Sequence, residues 1–380
     1  MRPLIIFITI ILVLLQSCHQ SSRDKGIDIQ PIEVINLAEV YEDVRDITLS
    51  TIANSFELIS LETNETNLLT GRPSKIIHIQ GQYFIVSKSI VYRFSEEGLF
   101  LNSIGSIGRG PDEYPSLLDF DVSEDGALVI ILASGKVLIY KSEGDLITSF
   151  VVESGTQKVA TNENTIITYK DNFTKTGDSS FCFYDMNGKQ RKCLPSLYHT
   201  PGDVKTGTWF QNSVLFYKSR GELYAKELHS DTIFTISGTE LHPHIILSSG
   251  LNRYTPEARA SGLSNPNLVI VHEVREIDNY IKVGYSFMGK GILLFHNTLT
   301  SENTVINESN GIMDDKISGG NIYSIFNSEN DPSFFYMISA TKYLKYRQEL
   351  IEPDDDIDDK TTNVDENSNP VIVKFKLKKL

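Results

Sequence analysis

The chain is short of positive charge, of long apolar runs and of helical periodicity, and each shortage narrows what it can be. Lys and Arg number 35 against 49 Asp and Glu, a formal charge of −14 over 380 residues. An acidic chain gains nothing from counterion release on a phosphate backbone, so no nucleic-acid partner is expected. Docking on an anionic membrane surface is disfavoured for the same reason, and the charge mainly supports solubility. The N-terminal apolar run from Leu4 to Leu15 is broken only by Thr9. It falls short of the roughly 20 residues a spanning helix needs. One segment alone, Ser339 to Ile351, places apolar residues near helical spacing. Two catalytic signatures are missing as well: the G-x-S-x-G elbow of a nucleophilic serine and the glycine-rich loop that cradles phosphate. What the chain does have is 17 Tyr and 19 Phe, residues that suit strands.

The N-terminus reads as an export signal. Arg2 precedes the apolar core, and Leu15-Gln16-Ser17-Cys18 comes directly after it. An apolar residue at −3 and a small one at −1 before cysteine is the pattern of a lipobox, with Gln16 its least usual letter. Residues 1–17 are therefore expected to be a lipoprotein signal peptide, with Cys18 the lipidated residue and new N-terminus. The alternative is a plain cleaved signal with a coincidental cysteine. Residues 18–30 read as a flexible tether and 31–380 as a single domain. A lipid on Cys18 would hold the protein in the cell envelope, at the outer membrane, without a transmembrane helix. Which side it faces is open.

Cys182 and Cys193 flank Asn187-Gly188, a two-residue hairpin signal. In that register the two cysteines face one another at a distance a disulfide spans. A three-residue loop would shift the pairing and part them, so a bridge and two free thiols both stand. An exported protein meets an oxidising compartment, where a bridge would persist.

No strict repeat is present, yet a turn pattern recurs: an aromatic, three residues, then glycine, between two alternating strands. Phe94 and Gly98, Tyr140 and Gly144, and Tyr184 and Gly188 give three copies, with the glycines 46 and 44 residues apart. Glycine suits a hairpin residue at positive φ. A degenerate fourth copy turns near Ser230-Asp231. Six further hairpins precede or extend these, with turns at Gln80-Gly81, Asp125-Gly126, near Asn164, at Gln211-Asn212, at Asp278-Asn279 and near Asp331. Units of four strands repeated at this period predict an all-β, six-bladed β-propeller of four-stranded antiparallel blades. The helical segment falls in the last blade as an insertion. The acidic stretch from Asp354 to Asn369 is expected to be an exposed loop, leading into a final strand, VIVKFKLKK. The segment IQPIEVINL is a candidate strand to close the ring against the last blade.

With the repeats laid out, further segments stand out: ISLET at Ile59, GRGPDEY at Gly108, DTIFTI at Asp231, DDKISGG at Asp314 and NSNPVIVKFKLKK at Asn367. Together with the lipobox they resemble the six-bladed β-propeller lipoproteins of gut Gram-negative bacteria, across essentially the whole mature chain. Asp112 departs from the small residue usual after that proline. The resemblance implies the propeller fold and the envelope location. It carries over no catalytic residue.

GRGPDEY is the candidate ligand-binding loop. Arg109 offers a fork to a carboxylate or sulfate, and Asp112, Glu113 and Tyr114 offer polar and stacking contacts. The alternative is that the loop braces blades one and two. His242 and His244 would share a strand face, but no third metal ligand has a matching spacing. The run Asp354, Asp355, Asp356, Asp358, Asp359 has no glycine at a calcium-loop position and reads as a solvated loop. No metal and no cofactor are therefore expected. The preferred function is a non-enzymatic binding scaffold for a glycan, a peptide or an envelope protein. The alternative is a hydrolase or lyase working in the central funnel.

Overall fold

The computed structural model describes residues 32–71, 73–110, 112–171, 179–198, 212–262, 265–329, 331–349 and 356–378. The signal peptide, Cys18 and the tether lie outside these residues, as do Gln211, Asp354 and Asp355. Residues Val34–Leu380 form one compact unit. No helix among the described residues is long and apolar enough to cross a membrane.

Six antiparallel sheets make the ring. Blade 1 runs Ile76–Ile79, Gln82–Ser87, Ile90–Ser95 and Phe100–Ile104. Blade 2 runs Leu117–Val122, Leu128–Ala133, Lys136–Lys141 and Leu146–Val151. Blade 3 is Thr156–Asn162, Thr165–Lys170, Ser179–Asp185 and Gln190–Pro195. Blade 4 is Val214–Ser219, Glu222–Glu227, Thr232–Ser237 and Glu240–Ser248. Blade 5 is Ile270–Ile277, Tyr280–Phe287, Lys290–Asn297 and Asn303–Asn307. In each of these the strands pair in chain order, and around the axis the first strands of blades 1 and 2, 2 and 3, and 4 and 5 pack on one another.

A propeller has no single central core. Six apolar clusters among the described residues each fill one interface between neighbouring blades. The second strand of blade 1 shows why. Tyr83 and Ile85 pack toward blade 6, while Phe84 and Val86 pack toward blade 2. Both faces of the strand are buried, so its sequence is almost continuously apolar instead of alternating.

Blade 6 is assembled from both ends of the chain. Its order is Phe326–Asn327, Ser333–Ile338, Val371–Leu377, then Ala53–Ser60, with Ile357–Asp359 beyond and parallel to Ala53–Ser60. The segment that closes the ring is thus Ala53–Ser60. The expected strand, in IQPIEVINL, is formed at Glu33–Asn36 but adds a fifth strand outside blade 4, beside Glu240–Ser248. Ile35 and Leu37 bury into the interface of blades 4 and 5, which fixes it there.

Two further expectations change. The first hairpin of blade 4 turns at Arg220-Gly221, where φ is 51° and 77°, one strand later than the expected turn at Gln211-Asn212. The expected acidic loop after the helix Ala340–Glu349 is only partly a loop. Its Ile357–Asp359 segment is a strand, and Asn369, where the stretch ends, is buried. Asn369 Oδ1 accepts from Leu69 N at 2.8 Å, and its amide donates to Glu62 O at 2.8 Å and Asn67 O at 3.2 Å. That clamp ties the C-terminal strand to the chain just beyond Ala53–Ser60.

The aromatic-x-x-x-glycine hairpins share one loop. In the third copy Gly188 N donates to Asp185 O at 2.9 Å and Asp185 N to Lys189 O at 3.0 Å, leaving three loop residues. A register shift lies next to it, between Phe183 and Tyr184, and restores the facing of Cys182 and Cys193. The two are joined by a disulfide, with Cα atoms 4.1 Å apart. The turn is therefore one residue longer than the Asn-Gly signal predicts, and the bulge cancels the difference.

Candidate functional site

The axis of the ring is where the first strands leave space. A chamber of about 470 Å³ opens at their N-terminal ends. Ile76, Leu117, Phe120, Val214, Phe216, Val274, Ile322 and Phe326 give it apolar walls, and Tyr323 stands half-exposed among them. A smaller space of about 50 Å³ continues along the axis and shares Lys75, Phe216, Glu273 and Arg275 with it. A last constriction of about 20 Å³ lies at the C-terminal ends of the strands, between Ile79, Glu124, Thr161, Lys218 and Glu329. The channel is thus a funnel, wide at one end.

The constriction has a structural cause. Asp119 and Asp121 sit two apart on the first strand of blade 2, so their carboxylates share a face. Asp119 Oδ2 accepts from Val159 N at 3.1 Å and Asp121 Oδ2 from Thr161 N at 2.7 Å. These carboxylates take up the N–H groups that the innermost strand of blade 3 has no ladder partner for. Lys218 then reaches from blade 4 to Asp121 Oδ2 at 2.8 Å. Burial works against that ammonium, yet Asp121 and Glu329 beside it raise its pKa above the ordinary lysine value. Glu329 is the reverse: burial pushes its carboxyl up, although Lys218 and Arg275 stand near.

Around the wide chamber the charges are largely committed. Lys75 Nζ meets Asp119 Oδ1 at 3.0 Å, Lys282 Nζ meets Glu273 Oε1 at 2.8 Å, and His272 Nε2 meets Glu308 Oε2 at 3.0 Å. Burial opposes ionisation of Asp119, but Lys75, Lys158 and the Val159 N–H together hold its carboxyl below the ordinary value. Lys282 does the same for Glu273 against a similar burial cost. Arg275 spans three blades. Its Nε donates to Asn327 Oδ1 at 3.1 Å and its Nη1 to Phe216 O at 3.1 Å. Lys158 also lines the chamber.

The residues singled out from the sequence lie elsewhere. None of Arg109, Asp112, Glu113 and Tyr114 lines the chamber. Arg109 and Asp112 are exposed. Glu113 turns inward, and its Oε2 accepts from Gly110 N at 2.8 Å. A Cβ on Gly108 would meet that carboxylate at 1.9 Å, so the glycine is there to admit it. Tyr114 is 1% exposed and donates to Ser89 O at 3.0 Å. It is a core residue between blades 1 and 2, with no face to offer a ligand. His242 is exposed, while His244 contacts Glu276 Oε1 at 2.9 Å and the Tyr224 ring at 4.7 Å, so the two imidazoles do not converge.

Sequence reasoning missed the chamber because its charged residues come from different blades and form no motif. A signal was present. Charges interrupt the first strands of blades 2, 3 and 5, at alternate positions in blades 2 and 5: Asp119 and Asp121 in LLDFDV, Lys158 in TQKVATN, Glu273 and Arg275 in IVHEVREI.

A closed ring of six four-stranded blades with a funnel on its axis defines the class: the protein is a six-bladed β-propeller. It resembles the crystal structure of an exported protein from Bacteroides fragilis, with a TM-score of 0.65 and 16% identity over 89% of this chain and 98% of that one. A DUF4221 family member from Bacteroides vulgatus matches with a TM-score of 0.53 and 11% identity, over 86% of this chain and 97% of that one. At these identities the likeness is one of fold. More specifically, the chain belongs to the DUF4934 family, a domain of unknown function whose model matches residues 32–376. No curated protein sequence matches it.

Proposed function

We propose that the protein is a non-enzymatic binding propeller of the cell envelope, anchored in the outer membrane through lipid on Cys18, and that the axial chamber is its binding site. The observation that carries the reading is the chamber itself: a concavity of about 470 Å³ with apolar walls and a few fixed polar groups. That volume lies within the range of small-ligand sites. Its charged groups come from four blades and, Lys158 apart, are held by each other and by backbone carbonyls, so most of the site is rigid before a ligand arrives. Asp119 and Glu273, held below the ordinary carboxylate pKa, are poor proton donors at neutral pH, which favours binding over acid–base chemistry. The Cys182–Cys193 bridge suits an exported protein.

The test has two parts. Metabolic labelling with a clickable fatty acid should tag the full-length protein and fail to tag Cys18→Ala. Thermal-shift and pull-down screens of glycans, peptides and envelope extracts should find a ligand whose effect disappears when Leu118 at the chamber wall becomes Trp. A ligand indifferent to that substitution would place the binding site elsewhere.

A further inference from the structure

Within this chamber the charges do not balance. Four fixed cations, Lys75, Lys158, Arg275 and Lys282, face three carboxylates, Asp119, Glu273 and Glu308. Lys75, Lys282 and His272 take those three carboxylates as partners. The Lys158 side chain makes no hydrogen bond and no ion pair among the described residues, and Arg275 is bonded to neutral acceptors, Asn327 Oδ1, Phe216 O and Val274 O. Two cations are left without an ion-pair contact, in a chain whose net charge is −14.

Lys158 is the informative one. Its ammonium is part-buried at the chamber wall beside Lys75. Burial, with Lys75 adding to it, pulls its pKa below the ordinary lysine value, and Asp119 only partly compensates. Asp119 is itself engaged by Lys75 and by Val159 N. A part-buried cation with no hydrogen-bonded or ion-paired partner costs stability, and a methionine of similar length would fill the same space without that cost. A residue that costs stability and makes no direct contact to brace the fold is placed for what enters the chamber.

Resting on the reading of the chamber as the binding site, we propose that it is a receptor for a compact oxyanion. A carboxylate, sulfate or phosphate on a small ligand pairs with Lys158, Arg275 fixes its depth, and the rest of the ligand lies against Phe216, Phe326 and Tyr323. The guanidinium is positioned for this by its backbone bonds, and the apolar walls strengthen each charge–charge contact by excluding water.

The experiment is thermal shift and calorimetry on the full-length chain at constant ionic strength, with sulfate, phosphate, glucuronate and glucose as probes. At least one oxyanion should bind saturably and glucose should not, and the rank among the three separates a carboxylated ligand from a sulfated or phosphorylated one. Lys158→Met should raise the melting temperature and weaken oxyanion binding by roughly tenfold or more, the scale of one charge-assisted contact, while Lys158→Arg retains it. Glucose and glucuronate binding alike, unchanged in Lys158→Met, would overturn the oxyanion inference and leave the chamber reading standing. An oxyanion response that survives both Lys158→Met and Leu118→Trp would overturn both. A lower melting temperature in Lys158→Met would make Lys158 a structural residue and overturn the inference, as would no response to any of the three anions.

Discussion

Single buried charges in this protein are set against different backgrounds, and Glu227 is one whose partner is weak. It is buried on the second strand of blade 4, where Oε1 accepts from Tyr169 Oη at 3.2 Å and Oε2 has no hydrogen-bond partner among the described residues. Burial pushes its pKa up from 4.5 to about 7, against the pull of Tyr169. A carboxyl raised in this way contributes its stability fully below its unfolded value, and that contribution is lost as pH rises through the folded one. Glu227→Gln should therefore unfold at the same urea concentration as the wild type near pH 4. Near pH 8 it should be the more stable by roughly 2–3 kcal/mol. Equal stability at both values would show that Glu227 ionises freely. Asp119 and Asp121 have the opposite setting, each anchored by a lysine and a backbone N–H. Neither background is visible in the sequence, because the partners come from neighbouring blades and no local spacing predicts them. The aromatic and glycine positions were legible, since they repeat. GRGPDEY was legible as a loop, but the inward turn of Glu113 and Tyr114 was not, because it depends on a hydrogen bond from Gly110 N and on the packing between blades 1 and 2.

At the scale of the element, the hairpin with aromatic-x-x-x-glycine explains more than its turn. The glycines of its three copies lie against the outer strand of the preceding blade. A Cβ on Gly98 would meet Ser60 O at 2.2 Å, one on Gly144 would meet Ser103 O at 3.2 Å, and one on Gly188 would meet the Phe150 ring at 2.4 Å. The pattern was legible as a β-turn rule, but its second cause is the spacing between blades, which only the assembled ring reveals. The same hairpin holds the disulfide. Because a bulge restores the register after a three-residue loop, Cys182 and Cys193 close a short loop on the outer two strands of blade 3. Closing a loop of that size is worth about 2–3 kcal/mol. Replacing both cysteines by Ala should cost about that much in global unfolding. Hydrogen exchange should quicken first at Gln190–Pro195, whose side chains are already part-exposed. Exchange that quickened evenly over all six blades would mean that the bridge acts on the whole ring and not on its own blade.

For the molecule as a whole the question is what makes six weakly connected sheets one cooperative unit. Each blade is buried only by its neighbours, so a ring with one open interface exposes two apolar faces at once. The closing interface here is made by segments some three hundred positions apart: Ala53–Ser60 pairs with Val371–Leu377, and Asn369 locks the chain just before Val371 to the chain just beyond Ser60. The sequence showed that the last blade was incomplete and that an N-terminal strand had to complete it. It did not show which one, because IQPIEVINL and ANSFELIS are both apolar enough to serve and only the packing of Ile35 and Leu37 against blades 4 and 5 assigns the first elsewhere. This assignment makes opposite forecasts for the two ends. A chain that lacks the Glu33–Asn36 strand loses an outer edge strand and should still unfold cooperatively, at a lower denaturant midpoint. A chain that stops before Val371 loses the third strand of blade 6 and the pairing partner of Ala53–Ser60. It should show no cooperative transition by circular dichroism and should bind a dye for exposed apolar surface. Asn369→Ala is the graded form of the same test. It strands the Leu69 N–H and the Glu62 and Asn67 carbonyls in a buried site, at about 1–3 kcal/mol per group before relaxation. If the chain ending at residue 370 kept a sharp transition while loss of Glu33–Asn36 abolished it, ring closure would belong to blade 4, and the order of blade 6 would have to be redrawn.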